Sequence, residues 1–590
     1  MKKSVVSLIA LVLAAFMMFS LVGCGNSNEN PSNTPVNNPD SPSSNPGTSS
    51  NSPGGSSLED PFFGDLLADG ITVSVRDSKL GPIYEYTNST GSFSKKTPAD
   101  SIVIGGSSQV TSADPHTQVV EYPWTYNVYD SLLRKNPDTG EVEPWLATEY
   151  HFDDAGLLHF TLREGVKFHD GNIMTAEDVF FSIQRAAKAP RDRARDVLKF
   201  IDFDNSYIED AQHVVFAFTE PCGAIISWMT SQATAIMSKE FVESVGPDYD
   251  YMSGDAGSGA YRLLSTITDV SQEFESFDEY WGGAPAIKHI TYRRYSDFTA
   301  MMIDYENGDL DYSNLNTFES VMRVVNGEVP DTVLSRVPGA RTAYVYLCQI
   351  GDVTPFTDIR LRQALAYSID VEAIIEALYG GPSGADLAFS CLGPGMDGYV
   401  PIGAYEYNPE KAIELLAECG YSQSNPCSFK AFVNSGGGRD KDMELIQAYV
   451  NAVGFDMELV VGGAAQSTEA NNTTTVPSEF QLLYGAGGDG CGDIFEAWVG
   501  MLAGNGHTGY STSRGIPDDD WCLALDNATS ATDNDARLAY LLEAQQIAYD
   551  EVLTVPLLSY SNFVMYRPYL SGIHNTSGYL MYWADLVITE

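Results

Sequence analysis

Residues whose types and spacing would support catalysis are scarce in this chain. Its 590 residues include only eight His, and the sequence contains no HExxH, no GxSxG and no P-loop. His169 and Asp170 stand side by side in a turn after a strand-like segment. A His in such a turn is more often a hydrogen-bonded structural residue than a metal ligand or a base. Since no nucleophile with a matching base is found, the sequence predicts a protein that is not an enzyme and uses no cofactor or metal.

A glycine-rich segment late in the chain is the most suggestive motif. Residues 485–490 read GAGGDG, which fits the GxGxxG dinucleotide fingerprint and follows the strand-like segment 480–484. That fingerprint needs a helix N-terminus that receives pyrophosphate. The next residues, CGDIFEAWVG, put another glycine and an acid at that place. The pattern therefore disfavours a nucleotide site.

Cys24 carries chemistry of its own because of what precedes it. Lys2 and Lys3 open the chain, a mostly apolar stretch covers residues 5–22, and Gly23 stands before Cys24. This order is typical of an export signal. It resembles the lipobox of bacterial lipoproteins, which implies that Cys24 is diacylated and becomes the mature N-terminus. The alternative is a transmembrane anchor, since about 18 apolar residues just span a bilayer, but the polar tail after Cys24 favours cleavage.

The residues after Cys24 predict a tether. Residues 25–57 are mostly Ser, Asn, Pro and Gly with one apolar residue, Val36, and such a segment cannot bury enough surface to fold. It would be a disordered linker with an r.m.s. reach of roughly 30 Å. Residues 58–99 are more apolar but are broken by Gly and Pro. They form either a small added subdomain or a part of the linker.

Composition limits the partners and the domain count. The chain has 33 basic and 79 acidic residues and a net charge of −46, which excludes nucleic acid and an anionic membrane surface as partners of the body. Apolar residues make up 44%, enough for several cores, and the roughly 490 residues from about residue 100 onward suggest two or three domains. The cysteines form no CxxC motif, so buried free thiols are expected. Cys419 and Cys427, which flank a turn, either stay free or form a disulfide.

Hydrophobic patterning predicts an α/β body. Residues 158–162 alternate with period two, as in a half-buried strand, and Thr175 then caps a helix. Asn408 caps a second helix, and Gly420 lies just past its end. Further strand-like segments lie between helical stretches: 101–104, 214–218, 343–349, 429–433, 457–461, 480–484 and 555–560. This alternation favours an α/β architecture.

At these segments the chain resembles a known family. Residues 160–186 read FTLREGVKFHDGNIMTAEDVFFSIQRA, similar to the signature of family 5 extracellular solute-binding proteins, the oligopeptide, dipeptide and nickel receptors of ABC importers. Other blocks match in the expected order: DPH at 114–116, YDSLLR at 129–134, PWLATEYHF at 144–152, GSGAYRL at 257–263, FTDIRLRQALAYSID at 356–370, NPEKAIELLAECGY at 408–421 and ARLAYLLEAQQIAYDEVLTVPLLSY at 536–560. These blocks are specific for the family but poorly informative about the ligand.

The resemblance implies an architecture and partners. It implies a periplasmic-binding-protein-like fold, with two α/β lobes joined by a two-strand hinge and a small extra domain inserted near the start of lobe I. It also implies a monomer that closes on its solute and delivers it to the permease and ATPase subunits of an ABC transporter. The expected bounds are: signal peptide 1–23, linker 24–57, unassigned 58–99, lobe I 100–128, small domain 129–249, lobe I 250–338, lobe II 339–554 and lobe I 555–590.

The resemblance also implies ligand-binding residues. In this family a strand-like segment late in the larger lobe runs beside the bound peptide, and an Asp there receives the α-ammonium group. Carried over residue by residue, this makes Asp489 the ammonium partner, with Gly485 and Gly487 admitting the ligand backbone. The family often has Asp-Pro or Glu-Pro a few residues later, whereas this chain reads GCGDIF. Asp493 is therefore an alternative partner, and a solvated loop position for both acids is another.

The other wall of the cleft has weaker candidates. Trp124 and Tyr126 lie between the DPH and YDSLLR blocks, where they either stack on ligand side chains or belong to the core. Arg341 lies near the expected hinge and is a candidate partner for a ligand carboxylate.

The sequence as a whole predicts an exported, lipid-anchored peptide receptor on the outer face of the bacterial cytoplasmic membrane. It would lie at the cell surface of a Gram-positive cell or in the periplasm of a Gram-negative one. Nickel chelates, opines and oligosaccharides are alternative ligands, and peptide sensing for signalling is an alternative role.

Overall fold

The structure, a computed structural model, describes most of the chain from residue 60 onward. The residues after 60 that it leaves undescribed are 79–80, 92–94, 109–111, 118–123, 190–197, 248, 253–255, 316, 340–341, 350–353, 391, 395, 397, 436–437, 464–465, 467–478, 488–518, 577–578 and 590. The described residues belong to one unit of the chain, Leu58–Glu590.

The strands and helices of this unit alternate along the sequence. The strands are β1 Thr72–Arg76, β2 Ile83–Asn88, β3 Ser101–Gly106, β4 Leu133–Lys135, β5 Val142–Pro144, β6 Ala147–Phe152, β7 Leu158–Leu162, β8 Ile201–Ile208, β9 His213–Phe218, β10 Tyr261–Ile267, β11 Ser271–Ser276, β12 His289–Arg294, β13 Tyr312–Leu315, β14 Thr332–Val337, β15 Thr342–Leu347, β16 Ala385–Leu387, β17 Cys427–Asn434, β18 Phe455–Gly462, β19 Leu482–Gly487, β20 Thr554–Tyr560, β21 Asn562–Tyr566, β22 Leu570–Ser571, β23 His574–Thr576, β24 Tyr579–Met581 and β25 Val587–Ile588. The helices are α1 Thr125–Val128, α2 Ala176–Ala187, α3 Ile225–Trp228, α4 Lys239–Val245, α5 Phe298–Glu306, α6 Phe318–Val325, α7 Ile359–Ser368, α8 Val371–Tyr379, α9 Pro409–Glu418, α10 Arg439–Val453, α11 Asp519–Ser530 and α12 Asn534–Asp550.

The local sequence signals for these elements are confirmed. The side chain of Thr175 accepts a hydrogen bond from the backbone of α2, and the carboxylate of Asp178 accepts one from the backbone nitrogen of Thr175, which completes a capping box. The carbonyl oxygen of the Asn408 side chain accepts from Lys411 N at 3.0 Å at the start of α9. The strand predicted at 158–162 is β7, and the other strand-like segments correspond to β3, β9, β15, β17, β18, β19 and β20.

Three sheets organise the molecule. Lobe I is built on a nine-stranded sheet of order β1-β2-β14-β21-β13-β3-β12-β11-β10, and lobe II on a six-stranded sheet of order β16-β20-β15-β19-β17-β18. A four-stranded antiparallel sheet, β6-β7-β9-β8, forms the small domain. Apolar residues on both lobe sheets are buried in separate clusters, with Ile104 and Val564 in one and Val345 and Val433 in another. The predicted α/β fold class is confirmed.

Two links join the lobes. β14 leads into β15 through residues 338–341, and β20 leads into β21 through Ser561 alone. The links lie against each other, since a Cβ built on Gly339 would be 1.8 Å from the carbonyl oxygen of Tyr560. Only glycine therefore fits at position 339. This is the two-strand hinge of the predicted fold.

Sheet membership revises the bounds expected for two segments. Within residues 58–99, β1 pairs with β2 and β2 pairs with β14, so this hairpin extends the edge of the lobe I sheet. The bound at residue 555 is wrong, because β20 pairs with β15 and β16 in the lobe II sheet and the chain enters lobe I only at Asn562. The apolar pattern of 555–560 predicts a strand but does not reveal its partners.

The state of the cysteines decides whether the disulfide considered in the sequence forms. Cys419 and Cys427 are both free thiols, so the disulfide considered for them is absent. Cys419 instead donates to Asp358 Oδ2 at 3.7 Å.

Among the described residues, no helix has the length and apolar character needed to cross a bilayer. The apolar stretch 5–22 and Cys24 lie outside the described residues.

Candidate functional site

The DPH block forms a charged cluster at the boundary between lobe I and the small domain. Arg185 on α2 makes two hydrogen bonds to Asp114, at 2.8 and 2.6 Å. It also donates to His116 Nδ1 at 2.9 Å, while Nε2 of His116 bonds to the carbonyl of Ala235 at 2.8 Å. Burial, with the Arg185 charge adding to it, lowers the pKa of His116 to about 4. Each polar atom of this imidazole is used internally, so the cluster ties two domains together.

A second buried carboxylate, Asp130 of the YDSLLR block, lies near the same boundary. It accepts hydrogen bonds from the indole nitrogens of Trp145 and Trp281, at 2.8 and 3.0 Å, and from Ser258 at 3.0 Å. Burial raises the pKa of Asp130, although these three donors act in the opposite direction. The donors come from the small domain and from lobe I, so Asp130 also has an internal, structural role.

His169 behaves as the sequence predicted for a structural residue. Its Nε2 bonds to the carbonyl of Gly259 at 2.9 Å, and the ring packs edge-on against Phe277. Burial lowers its pKa to about 4. Among the described residues, no three His, Cys, Asp or Glu side chains are grouped so that they would hold a metal ion.

Some of the predicted site residues lie in the described part of the chain and others do not. Cys24, Arg341, Asp489 and Asp493 lie outside the described residues, so their roles stay predictions. Trp124 is fully buried and packs against Phe274 with ring centroids 5.9 Å apart, which is the core alternative for this residue. Tyr126, in α1, is partly buried.

The two glycines are part of β19, opposite β15. Gly487 pairs with Thr342 and Gly485 pairs with Tyr344. A Cβ built on Gly485 would lie 2.6 Å from the ring of Tyr344, so the missing side chain makes room for this aromatic ring. The sequence predicted that a ligand backbone would occupy the space beside Gly485. On this face of the sheet, the ring of Tyr344 occupies it instead.

A buried carboxylate on the opposite face holds β19 in place. Asp442 on α10 accepts a hydrogen bond from Tyr484 of β19 at 2.6 Å and another from Tyr379 at 2.8 Å. Tyr560, the last residue of β20, is hydrogen bonded to Tyr484 at 2.5 Å. Burial raises the pKa of Asp442. This cluster fixes the ends of β19 and β20, from which the chain continues to the glycine-rich segment and to the hinge.

Unpaired polar atoms lie where the two lobes meet. Asn314 Oδ1, Asn562 Nδ2, Ser561 Oγ and Asn434 Oδ1 are buried and have no hydrogen-bond partner among the described residues. Asn314 is near the end of β13, Asn562 begins β21, Ser561 is the hinge link and Asn434 ends β17. Buried polar atoms normally have partners.

Asn314 and Asn562 share one face of the lobe I sheet. Asn314 pairs with Val564, and Asn562 lies two residues before Val564 on the same strand, so the three side chains point to the same side. Such diagonal neighbours are roughly 7–8 Å apart, which leaves room for a bridging group. Asn314 Oδ1 and Asn562 Nδ2, an acceptor and a donor, thus belong to neighbouring side chains on one face of the sheet.

Sequence reasoning missed these asparagines, although a signal was present. Both occur as a Ser-Asn pair in strands whose other residues on that face, Tyr312, Val564 and Tyr566, are buried and apolar. A polar residue that interrupts an apolar face carries a desolvation cost, so it indicates either a buried partner or a ligand. Their convergence was not predictable, because it depends on the pairing of β13 with β21, distant in sequence.

Comparison with known proteins agrees with this architecture. The model of the bacterial extracellular solute-binding proteins, family 5 middle region, matches residues 141–494. Heme-binding protein A of Haemophilus influenzae is 25% identical, over 77% of this chain and 85% of that protein. The periplasmic oligopeptide-binding protein OppA of the same organism is 24% identical, over 80% of this chain and 90% of that protein. The structure of the periplasmic binding protein DppA from Helicobacter pylori with the peptide STSA superimposes with a TM-score of 0.68 at 19% identity, covering 83% of this chain and 98% of that one.

The matched family segment is more than half of the chain, and it includes most of lobe II, the hinge link at 338–341 and the small domain. Proteins of this family are solute-binding receptors of ABC importers. From the matched segment and the two-lobed fold together, we conclude that the chain belongs to the family 5 extracellular solute-binding proteins.

Proposed function

We propose that this chain binds a peptide between its two lobes and delivers it to the permease and ATPase subunits of an ABC transporter. The observation that carries the proposal is the pair of unsatisfied amides, Asn314 and Asn562, at the lobe junction. A peptide unit presents one N–H donor and one C=O acceptor. Such a unit can therefore pair with an amide acceptor and an amide donor, and it does so for any side chain.

The α-ammonium group of the peptide would be held by Asp489, with Asp493 as the alternative. This assignment rests on the family resemblance of the glycine-rich segment. It is supported by the position of β19, which ends at Gly487 beside the hinge strand β15. Two relatives are described by their names or titles as binding oligopeptides or holding a peptide, which also supports a peptide.

Two measurements test ligand class and mechanism together. The full chain is mixed with a diverse peptide library, and melting temperature and peptide integrity are followed. A peptide at 100 times its Kd should stabilise the fold by about 2.7 kcal/mol and should emerge uncut. A protein that responds only to heme, nickel chelates or sugars would have a different ligand class, and one that cuts peptides would contradict the receptor role.

The ammonium partner is tested by a thermodynamic cycle. Asp489→Ala and N-acetylation of a bound peptide should each cost about 2–5 kcal/mol of binding free energy, and the two losses should not add. Additive losses would exclude Asp489, and the same cycle run on Asp493→Ala then tests the alternative.

Anchoring is a separate part of the proposal. Diacylated Cys24 would hold the receptor at the outer face of the membrane without a spanning helix, since two acyl chains suffice for stable attachment. Fatty-acid labelling should be lost in Cys24→Ala. Unchanged labelling of that variant would contradict the lipoprotein assignment and leave the ligand assignment intact.

A further inference from the structure

Residues 60–67 fold into a short segment that is anchored to lobe I; we call it the hinge strap. The Asp60 carboxylate accepts hydrogen bonds from the backbone nitrogens of Phe62 and Phe63, both at 3.1 Å, and from Tyr86 Oη at 3.0 Å. Phe63 is buried and packs against Tyr86 and Phe563, with ring centroids 5.1 and 6.3 Å away. The strap is thus fixed to β2 and β21.

The same strap reaches lobe II. The carbonyl of Phe62 accepts a hydrogen bond from Ser383 Oγ at 2.5 Å, and Ser383 closes the 3₁₀ turn Gly381–Ser383 just before β16. The ring of Phe62 lies over the guanidinium of Arg336, 3.5 Å from its centroid, and meets Tyr84 edge-on at 5.0 Å. One residue of the strap therefore touches both lobes.

Arg336 makes a parallel tie across the same junction. It lies on β14, the strand that leads into the hinge, and is 2% exposed. It donates to the carbonyl of Pro382 and to Asp386 Oδ2, both at 3.0 Å. Its apolar cover on the other side is the ring of Phe62. Loss of the Phe62 ring would expose to water the guanidinium of Arg336, which now bridges the lobes.

These ties lie on one side of the hinge and the candidate ligand groups on the other. In the lobe I sheet, β2 and β13 flank the hinge strands β14 and β21 on opposite sides, and in lobe II β16 and β19 flank β20 and β15. The strap contacts β2 and the turn before β16. Asn314 is on β13 and Gly487 is on β19, so the strap does not take part in the ligand groups identified above.

We propose that the hinge strap fixes the pivot between the lobes. Two links connect the lobes in the described part of the chain, and lobe II also contacts the small domain, where Gly223 N donates to Thr529 O at 2.9 Å. With the two links alone at the hinge, lobe II would turn about several axes, and a ligand would have to order this motion on binding. The strap and Arg336 restrict it to rotation about one edge of the junction. The strap lies outside the matched family segment, which begins at residue 141.

The test measures lobe motion directly, without a ligand. Spin labels are introduced through unnatural amino acids at Ile303 of lobe I and Ile413 of lobe II, both 50% exposed, in the full-length chain. Double electron–electron resonance then gives the distribution of interlobe distances. We expect the distribution to widen and its mean to shift in Phe62→Ala and in Ser383→Ala.

Leu66→Ala is the matched control, because Leu66 is in the strap but is 55% exposed, and its distribution should equal that of the wild type. Should Phe62→Ala fail to fold, Ser383→Ala carries the test, since it removes a single hydroxyl from lobe II. An unchanged distribution in the folded variants, or the same widening in Leu66→Ala, overturns the proposal.

Discussion

The two boundaries of lobe I are built in opposite ways. Towards the small domain, two buried charged groups are paired: Arg185 with Asp114 and His116, and Asp130 with two indoles and Ser258; His169 Nδ1 is buried there without a partner in the described part of the chain. Towards lobe II, Arg336 and Ser383 are paired on one side of the hinge, whereas Asn314 Oδ1, Ser561 Oγ and Asn562 Nδ2 have no partner in the described part of the chain. Satisfied buried groups rigidify a contact, and unsatisfied ones are costly until something binds. The first boundary is therefore expected to be the more rigid one, and under the proposed function the unpaired atoms of the second contact the ligand.

The largest effect on the free energy of unfolding should follow from removing the buried carboxylate of Asp114 at the paired boundary. Asp114→Ala leaves the guanidinium of Arg185 mostly buried beside a neutral His116, and should lower the free energy of unfolding by about 3–5 kcal/mol. Denaturant unfolding measures this loss. Lys167→Ala, which removes an exposed ion pair with Glu279 between the same two domains, is the control and should cost less than about 1 kcal/mol. Equal losses in both variants would show that burial does not distinguish this boundary.

Acid should weaken the same boundary through two histidines. Burial lowers the pKa of His116 and His169 to about 4, while the unfolded chain takes up these protons near pH 6.5. The unfolded state therefore binds more protons in this interval, and stability falls as pH drops from about 6.5 to 4, by up to about 3 kcal/mol for each residue. Unfolding free energies measured between pH 7 and 4 give the slope. His169→Gln should reduce the slope by one proton, and an unchanged slope would mean that His169 is not neutral in the fold.

The unpaired boundary should respond in the reverse sense. Asn314→Leu removes Oδ1 and Asn562→Leu removes Nδ2, buried atoms that have no partner in the described part of the chain, so ligand-free stability should stay equal or rise. Affinity for a peptide that raises the melting temperature of the wild type should fall by about 1–3 kcal/mol, or roughly 5- to 150-fold. Calorimetry and melting on the same samples separate the two effects. Lost stability with unchanged affinity would make these asparagines structural and remove the contrast between the boundaries.

The sequence predicted what depends on local pattern and failed where distant strands must meet. Capping at Thr175 and Asn408 and the strand at 158–162 are set by neighbouring residues, and each is confirmed. The bound at residue 555 was wrong because membership of β20 in the lobe II sheet is decided by its pairing with β15. The proximity of Asn314 and Asn562 likewise arises only when β13 and β21 pair. Gly485 was assigned to a ligand contact because its actual neighbour in the sheet, Tyr344, is more than a hundred residues away in the sequence and could not be identified from it.

The smallest predicted effect concerns a third histidine at the paired boundary. Its contribution to the free energy of unfolding changes with pH in the opposite direction to that of His116 and His169. His574 of lobe I lies between two acids: its Nδ1 is 3.5 Å from Asp138, in the turn between β4 and β5, and its Nε2 is 3.4 Å from Asp585. The hydrogen bond to Asp585 and the charge of Asp138 raise the pKa of His574.

A raised pKa means that the folded state holds the proton more tightly than the unfolded chain. This contribution is complete below about pH 6.5 and disappears as pH rises through the raised value. His574→Gln should therefore lower the free energy of unfolding by about 0.5–1 kcal/mol at pH 6 and leave it unchanged at pH 9. Arg76 also contacts Asp138, at 3.5 Å. A loss of equal size at both pH values would mean that His574 acts through packing. The paired boundary would then be weakened by acid with no group opposing it.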